Sequence, residues 1–400
     1  MVTDPIAPPI PIPDIPGADA GSRGLPQRSD LTAAQRAIVD ASVIADLGLR
    51  TAVASMISVA MLPKVLTDAA HPSELSRERD IMDFYAHLAL RHDANASFPA
   101  PTVPPTVSSR PANRLATWIA RGNVENIRFD SSFRAINPDM REQWNRLKNN
   151  TVVHAQHWRH DDGRGPSGGR PTLCVIHGFM GSAYLANGLF FSLPWFFESG
   201  YDVLLYTMPF HGKRAEKCSP FSGYGIFANG MGGFAETMAQ AIHDFRSVID
   251  YLESTGVDKV AVTGLSLGGY TSALAASVDN RIQAVIPNVP VVTPESAFDD
   301  WWPANKLVTL GRRAGGITRD AAAAASAYHS PLNYTPLVPK DRRLIITGLG
   351  DRLAPPEQAE KLWEHWDRCA LHWFPGNHLL HVSQPEYLRR MTRFLRPIMF

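Results

Sequence analysis

The stretch Val260-Ala-Val-Thr-Gly264-Leu265-Ser266-Leu267-Gly268-Gly269 decides how the whole chain is read. Its opening, Lys259 to Thr263, is an apolar, β-branched run of strand length. Unbroken runs of that kind are buried on both faces, the environment of a parallel sheet. Gly-x-Ser-x-Gly comes next, and then small residues from Tyr270 to Ser277 that suit a helix. A bare Gly-x-Ser-x-Gly is common by chance. Between a buried strand and a helix it says more, because the serine is forced onto a sharp, strained turn that exposes its hydroxyl. Gly264 and Gly268 leave room for the tight backbone crossing. The helix starting behind Ser266 aims unpaired N–H groups at any negative charge that develops there. A turn with an incidental serine is the plainer alternative; the strand–turn–helix setting argues for a nucleophile.

Outward from this segment, short apolar runs alternate with helical stretches from about residue 113 onward. Asn126–Ser131, Thr151–Trp158, Thr172–Ile176, Tyr201–Tyr206, Ile282–Ile286, Arg343–Thr347 and Ala370–Phe374 read as strands, and Phe234–Ser254 reads as a helix. Buried strands alternating with helices imply right-handed crossovers and a mostly parallel sheet covered on both faces. The fold class is α/β.

A serine hydroxyl is a weak nucleophile until a base takes its proton. The last predicted strand runs into Phe374-Pro-Gly376-Asn-His378, and the one before it into Gly348-Leu-Gly-Asp351. Asp351 would accept from one imidazole nitrogen and hold the tautomer, leaving the other nitrogen for the Ser266 proton. His381 is a second candidate base. Asp299 and Asp300, beside Trp301 and Trp302, are second candidate acids. The turn at Gly376 and the buried strand before Asp351 favour the first pair. Acyl chemistry also needs donors for an oxyanion. His177-Gly178-Phe179-Met180-Gly181 follows a buried strand, so the backbone N–H of Phe179 pairs naturally with that of Leu267, the residue after the nucleophile. His177 invites a catalytic role; shaping this loop through local hydrogen bonds is what its position suggests.

The set HGFMG (177–181), GLSLGG (264–269), GLGD (348–351) and PGNH (375–378), in that order, resembles the α/β-hydrolase superfamily on its esterase and lipase side. Pro209-Phe-His-Gly-Lys-Arg214 resembles the loop after the fourth strand of those enzymes. The likeness runs over residues 113–400. It implies the α/β-hydrolase fold, with helices on both faces of the sheet. It also implies a Ser266–Asp351–His378 triad in the family's chain order, an acyl-serine intermediate, and neither cofactor nor metal. The implied substrate is a small-molecule carboxylic ester or related acyl compound. A thioesterase, lactonase or acyltransferase would use the same triad, and a non-catalytic binding module on this scaffold is the remaining alternative. A serine rather than an aspartate at the elbow speaks against dehalogenase or epoxide-hydrolase chemistry. Family members build a cap from an insertion after the sixth strand. Here that insertion is residues 293–335, whose Trp301 and Trp302 are expected to line the substrate pocket.

The 400 residues exceed the roughly 300 at which one hydrophobic core stops growing. Residues 1–30, rich in proline and glycine, read as a disordered arm. Residues 31–112 read as a helical extension, with a stop at Pro63, followed by a proline-rich linker over 98–112. The catalytic domain is expected over 113–400. With 39 basic and 38 acidic side chains, there is no basic field to gather nucleic acid. Cys174, Cys218 and Cys369 are too scattered for a disulfide framework or a zinc site. His157 and His160, beside Asp161 and Asp162, lead into a glycine-rich turn at 163–169, a poor setting for fixed metal ligands. Ala41–Leu62 is apolar but carries Asp46 and Arg50, which suits a packed or surface-lying helix better than a membrane span. That leaves room for peripheral membrane contact and for homo-oligomers through the N-terminal helices. The start of the chain lacks a signal-peptide pattern, so the expected location is cytoplasmic.

Overall fold

The computed structural model describes residues 24–160, 169–181, 183–381 and 384–400. Asp161 and Asp162, the expected arm before residue 24 and the glycine turn up to residue 168 lie outside the described residues. Among the described residues, nine strands form one sheet: β1 (Ser108–Pro111), β2 (Asn123–Asp130), β3 (Val152–Arg159), β4 (Thr172–Ile176), β5 (Asp202–Tyr206), β6 (Val260–Leu265), β7 (Ile282–Asn288), β8 (Leu344–Gly348) and β9 (Ala370–Phe374). Their order across the sheet is β1-β2-β3-β5-β4-β6-β7-β8-β9. The pairs from β1 through β3 to β5 are antiparallel. From β5 through β4 to β9 all pairs are parallel. β4, β5, β6 and β8 are buried at every residue, as their unbroken apolar runs require.

Two expectations need correction. The linker over 98–112 is not wholly irregular, because β1 lies in it and extends the sheet before residue 113. Its four residues are exposed and sit at the sheet edge, where Pro111 costs no central ladder bond. The helix does not stop at Pro63 either. Helix α1 (Ala33–Ala70) runs straight through it, opened by a Thr32–Gln35 capping box. Packing outweighs the lost backbone bond. Ile57 and Ala60 are buried before the proline, and Lys64 just after it pairs with Asp68 at 2.7 Å and with Glu78 at 3.3 Å. Glu78 belongs to α2 (Pro72–Ala89), so the turn beyond Pro63 is tied to the next helix.

Further helices position the site: α3 (Gly230–Ser254), buried along most of its length; α4 (Leu267–Ala275), behind the elbow; and, in the expected cap insertion, α5 (Pro294–Asp300), α6 (Ala304–Gly315) and α7 (Arg319–Ser326). The N-terminal helices pack on that insertion. Ala54 and Ile57 of α1 cluster with Ala297, Trp301, Ala304 and Leu353. Met82 of α2 clusters with Ala322 and Ala325. By length and composition alone α1 could cross a membrane, and Ile44, Val59 and Leu66 are exposed on it.

Candidate active site

Parallel register brings the site loops to one edge. Ile176 pairs with Gly264, Gly264 with Pro287, Asn288 with Ile346, and Gly348 with Phe374. The loops that follow β4, β6, β8 and β9 therefore all leave the carboxyl edge of the sheet, where open α/β sheets hold their ligands.

The turn between β6 and α4 is tight and strained. Ser266 sits at φ 55°, ψ −115°, a region a non-glycine residue enters only under strain. Its N–H donates to Asn288 O at 3.0 Å, which pins the turn to β7. A Cβ on Gly264 would fall 2.2 Å from Gly268 O, so the backbone crosses itself with no space for a side chain. Gly178 lies against the same turn: a Cβ there would sit 3.2 Å from Leu265 O and 3.6 Å from Ser266 Cβ. The Gly178–Gly181 turn closes with a 3.1 Å bond, and neither the Phe179 nor the Leu267 amide donates to another described residue. His177 is fully engaged locally. Its Nδ1–H donates to Gly178 O at 2.8 Å and its Nε2 accepts from Met208 N–H at 3.2 Å. Burial pushes its pKa down to about 4. It braces the loop, with the His211 ring of the 209–214 segment packed 4.7 Å away.

Asp351 and His378 meet. His378 Nδ1 lies 2.7 Å from Asp351 Oδ2, and both side chains are buried. Asp351 Oδ1 also accepts from the N–H groups of Leu353 (2.9 Å) and Ala354 (2.6 Å). Burial works against a charged His378 ring. The Asp351 carboxylate, its hydrogen bond and the Asp46 charge outweigh it and hold the ring above the ordinary histidine range. Among the described residues nothing hydrogen-bonds the Ser266 hydroxyl or His378 Nε2. The rival residues are occupied or outside. His381 sits 3.2 Å from Tyr387 OH and 3.3 Å from His378 O, and burial pushes it down to about 4. Asp299 pairs with Arg312 and Arg319 at 3.2 Å each, and Asp300 is exposed. His157 and His160 also turn to separate partners, Tyr251 OH and Asp202 Oδ1.

One residue here shows in the sequence only as a charge interrupting an apolar helix. Asp46 of α1 is fully buried, and its carboxylate accepts backbone N–H groups from both the Asp351 loop and the His378 loop. A charged residue in the middle of an apolar run was the only local signal.

Ser266 opens into a cleft of about 60 Å³, walled by Phe179, Leu267, Tyr270, Trp301 and Leu353 among others. Phe227, Phe234, Pro294 and Phe298 border both this cleft and a second, mostly apolar cavity of about 350 Å³ between α1, α2 and the cap helices. The two tryptophans part company. Trp301 lines the serine's cleft, whereas Trp302 is 59% exposed and lines neither space. Successive residues at the end of α5 point opposite ways, so only one of the pair can face inward.

Residues 171–315 match the family described as the alpha/beta hydrolase fold. An uncharacterized protein of Mycobacterium tuberculosis, found in strains H37Rv and CDC 1551 / Oshkosh, is 33% identical over 222 residues, 52% of this chain and 50% of its own length. The chain thus spans about half the length of the curated relatives it matches. Among solved structures it is similar to an acetyl xylan esterase from Paenibacillus sp. R4 (TM-score 0.54, 16% identity, 80% of this chain and 94% of that one). It is similar also to acetyl xylan esterase 1 from Thermoanaerobacterium sp. JW/SL YS485 (TM-score 0.54, 14% identity, 80% and 98%). At these identities the likeness is one of fold.

Proposed function

We propose that this chain, whose residues 171–315 match the alpha/beta hydrolase fold family, is a serine hydrolase cleaving small-molecule carboxylic esters with an apolar acyl group. Ser266 Oγ attacks the carbonyl carbon while His378 Nε2 takes its proton. The N–H groups of Phe179 and Leu267 receive the oxyanion. The bond to the alcohol oxygen breaks, His378 returns the proton to that oxygen, and acyl-Ser266 remains. Water then attacks the acyl carbon as His378 removes its proton, and the serine oxygen leaves with that proton, releasing the carboxylic acid. Asp351 stays ionised and holds the ring.

The observation that carries this reading is a coincidence at one sheet edge: a serine in a strained turn, two backbone amides that donate to no other described residue, and a buried imidazole–carboxylate pair. The two acetyl xylan esterases are ester hydrolases by name, which agrees with the reaction class. For the acyl side, the cleft at Ser266 is apolar and small, about 60 Å³. The cavity of about 350 Å³ beyond Phe298 is more than twice the roughly 150 Å³ that accommodates benzene. The first carbons of the acyl chain would fill the cleft and the rest would extend past Phe298.

The test is a series of p-nitrophenyl esters from acetate to palmitate, run on the native chain and on Ser266→Ala, with fluorophosphonate labelling of both. Turnover and labelling lost together in Ser266→Ala, with an optimum beyond acetate, support the reading. Equal behaviour of the two proteins refutes the nucleophile. Labelling without turnover of any ester refutes the substrate class and leaves the nucleophile standing.

A further inference from the structure

We infer that Asp46 is a positioning residue for the His378–Asp351 pair, which makes the N-terminal helix a working part of the catalytic unit. What the pair does rests on the ester-hydrolase reading; how it is held does not.

The geometry is specific. Asp46 Oδ2 accepts from the N–H of Arg352 at 2.5 Å and of Leu353 at 2.9 Å, and Oδ1 accepts from the N–H of His378 at 3.3 Å. One carboxylate therefore bridges the loop after β8, which carries the acid, and the loop after β9, which carries the base. The contact is a seat rather than a single bond. Asn377 Nδ2 donates to Ser42 O at 3.3 Å, and a Cβ on Gly350 would fall 2.5 Å from Ser42 Cβ. The Ser42–Asp46 face of α1 thus lies in the crevice between the two loops.

A buried carboxylate is costly unless its lone pairs are met, and here three N–H groups meet them. Packing alone would be served by an apolar residue at that position. What the carboxylate adds is an acceptor for groups on both loops at once, and a negative charge close to the imidazole. The titratable groups facing His378 are Asp351, Asp46 and the His381 ring of its own loop. Asp351 fixes the imidazole from its Nδ1 side. Asp46 fixes the backbone from which that imidazole hangs, and the backbone that follows Asp351.

Asp46→Asn tests this in the full chain. It keeps the shape and one acceptor oxygen, but turns an amide donor toward one of the loops, so an N–H there loses its partner. Three quantities are read: the rate of fluorophosphonate labelling, its pH profile, and the His378 ring titration followed by NMR of histidine-labelled protein. The expected result is a labelling rate reduced about 10- to 100-fold, the range typical of lost outer supports in a site. kcat for a short ester should fall more than KM rises, and the His378 titration should move to lower pH. Labelling within about twofold of the native rate, with an unmoved titration, overturns the inference, even if the melting temperature drops. Should Asp46→Asn fail to fold, Asp46→Glu carries the test. It keeps charge and acceptors but spreads the loops by one methylene, so labelling should slow while the His378 titration stays high; a native labelling rate overturns the inference. If the native chain neither labels nor cleaves esters, the ester-hydrolase reading fails, and the positioning role still stands or falls on the His378 titration.

Discussion

A Cβ placed on Gly268 would fall 2.0 Å from the carbonyl oxygen of Ile176, so the first turn of α4 lies directly against the end of β4. The next nearest atom is His177 O, at 2.6 Å. Both are backbone, and β4 is a central strand that cannot give way alone. The Ser266 turn and the proposed oxyanion loop are locked face to face by this contact. Gly268→Ala should cost about 1–3 kcal/mol or more, as overpacking does, and should displace Ser266 from the Phe179 amide. Gly48, inside α1, has nothing within 4 Å of a Cβ. Gly48→Ala should stabilise the chain by about 0.5–1 kcal/mol. Denaturant midpoints and labelling rates of the two variants check this: opposite signs are expected, and a native-like Gly268→Ala would mean the contact is looser than described.

The raised pKa of His378 has a direct consequence for rate. In the proposed reaction His378 must be neutral to take the Ser266 proton, so activity should be lost as pH falls and the ring becomes charged. Burial would lower the midpoint, but Asp351 and Asp46 raise it. The acidic limb of kcat/KM for a p-nitrophenyl ester should therefore have its midpoint above about 6.5, the ordinary histidine value. A midpoint below that would mean burial outweighs the two carboxylates.

The larger cavity makes a prediction about chain length. Gly311 of α6 lines it, and a Cβ there meets only Val65, at 3.7 and 3.9 Å. Gly311→Phe can be accommodated by growing into the space. Each buried methylene is worth about 0.8 kcal/mol, so excluding two of them should lower kcat/KM for long acyl esters by at least about tenfold relative to butyrate. An unchanged profile would place the acyl chain elsewhere.

The two tryptophans give a paired comparison. Trp301 walls the cleft at Ser266, while Trp302 is exposed. Trp301→Ala should change the ester preference and Trp302→Ala should leave it unaltered. Equal effects would show that the cleft at Ser266 is not where the acyl group enters.

The part of this protein legible from sequence is the part encoded over short distances. An unbroken apolar run of strand length, as at Thr172–Ile176, points to a strand buried on both faces, the environment of a parallel sheet covered by helices. Gly264 and Gly268 around Ser266 dictate a crossing that only a tight strand-to-helix turn provides. His378 and Asp351 could be proposed because each follows a strand by a few residues, in a glycine-containing loop. Tertiary structure decided whatever depends on segments far apart in the chain. Asp46 lies 306 residues from Arg352, and nothing local distinguishes a helical aspartate facing water from one that holds two loops. Pro63 predicts a break in an isolated helix, and it is the burial of Ile57 and Ala60 in the turns before it and the tie from Lys64 to α2 that carry α1 through it. Trp301 and Trp302 are indistinguishable in sequence, yet the turn that ends α5 sends one into the cleft and the other into solvent. Local preferences are weak, of order 1 kcal/mol per residue, and packing between distant segments overrides them.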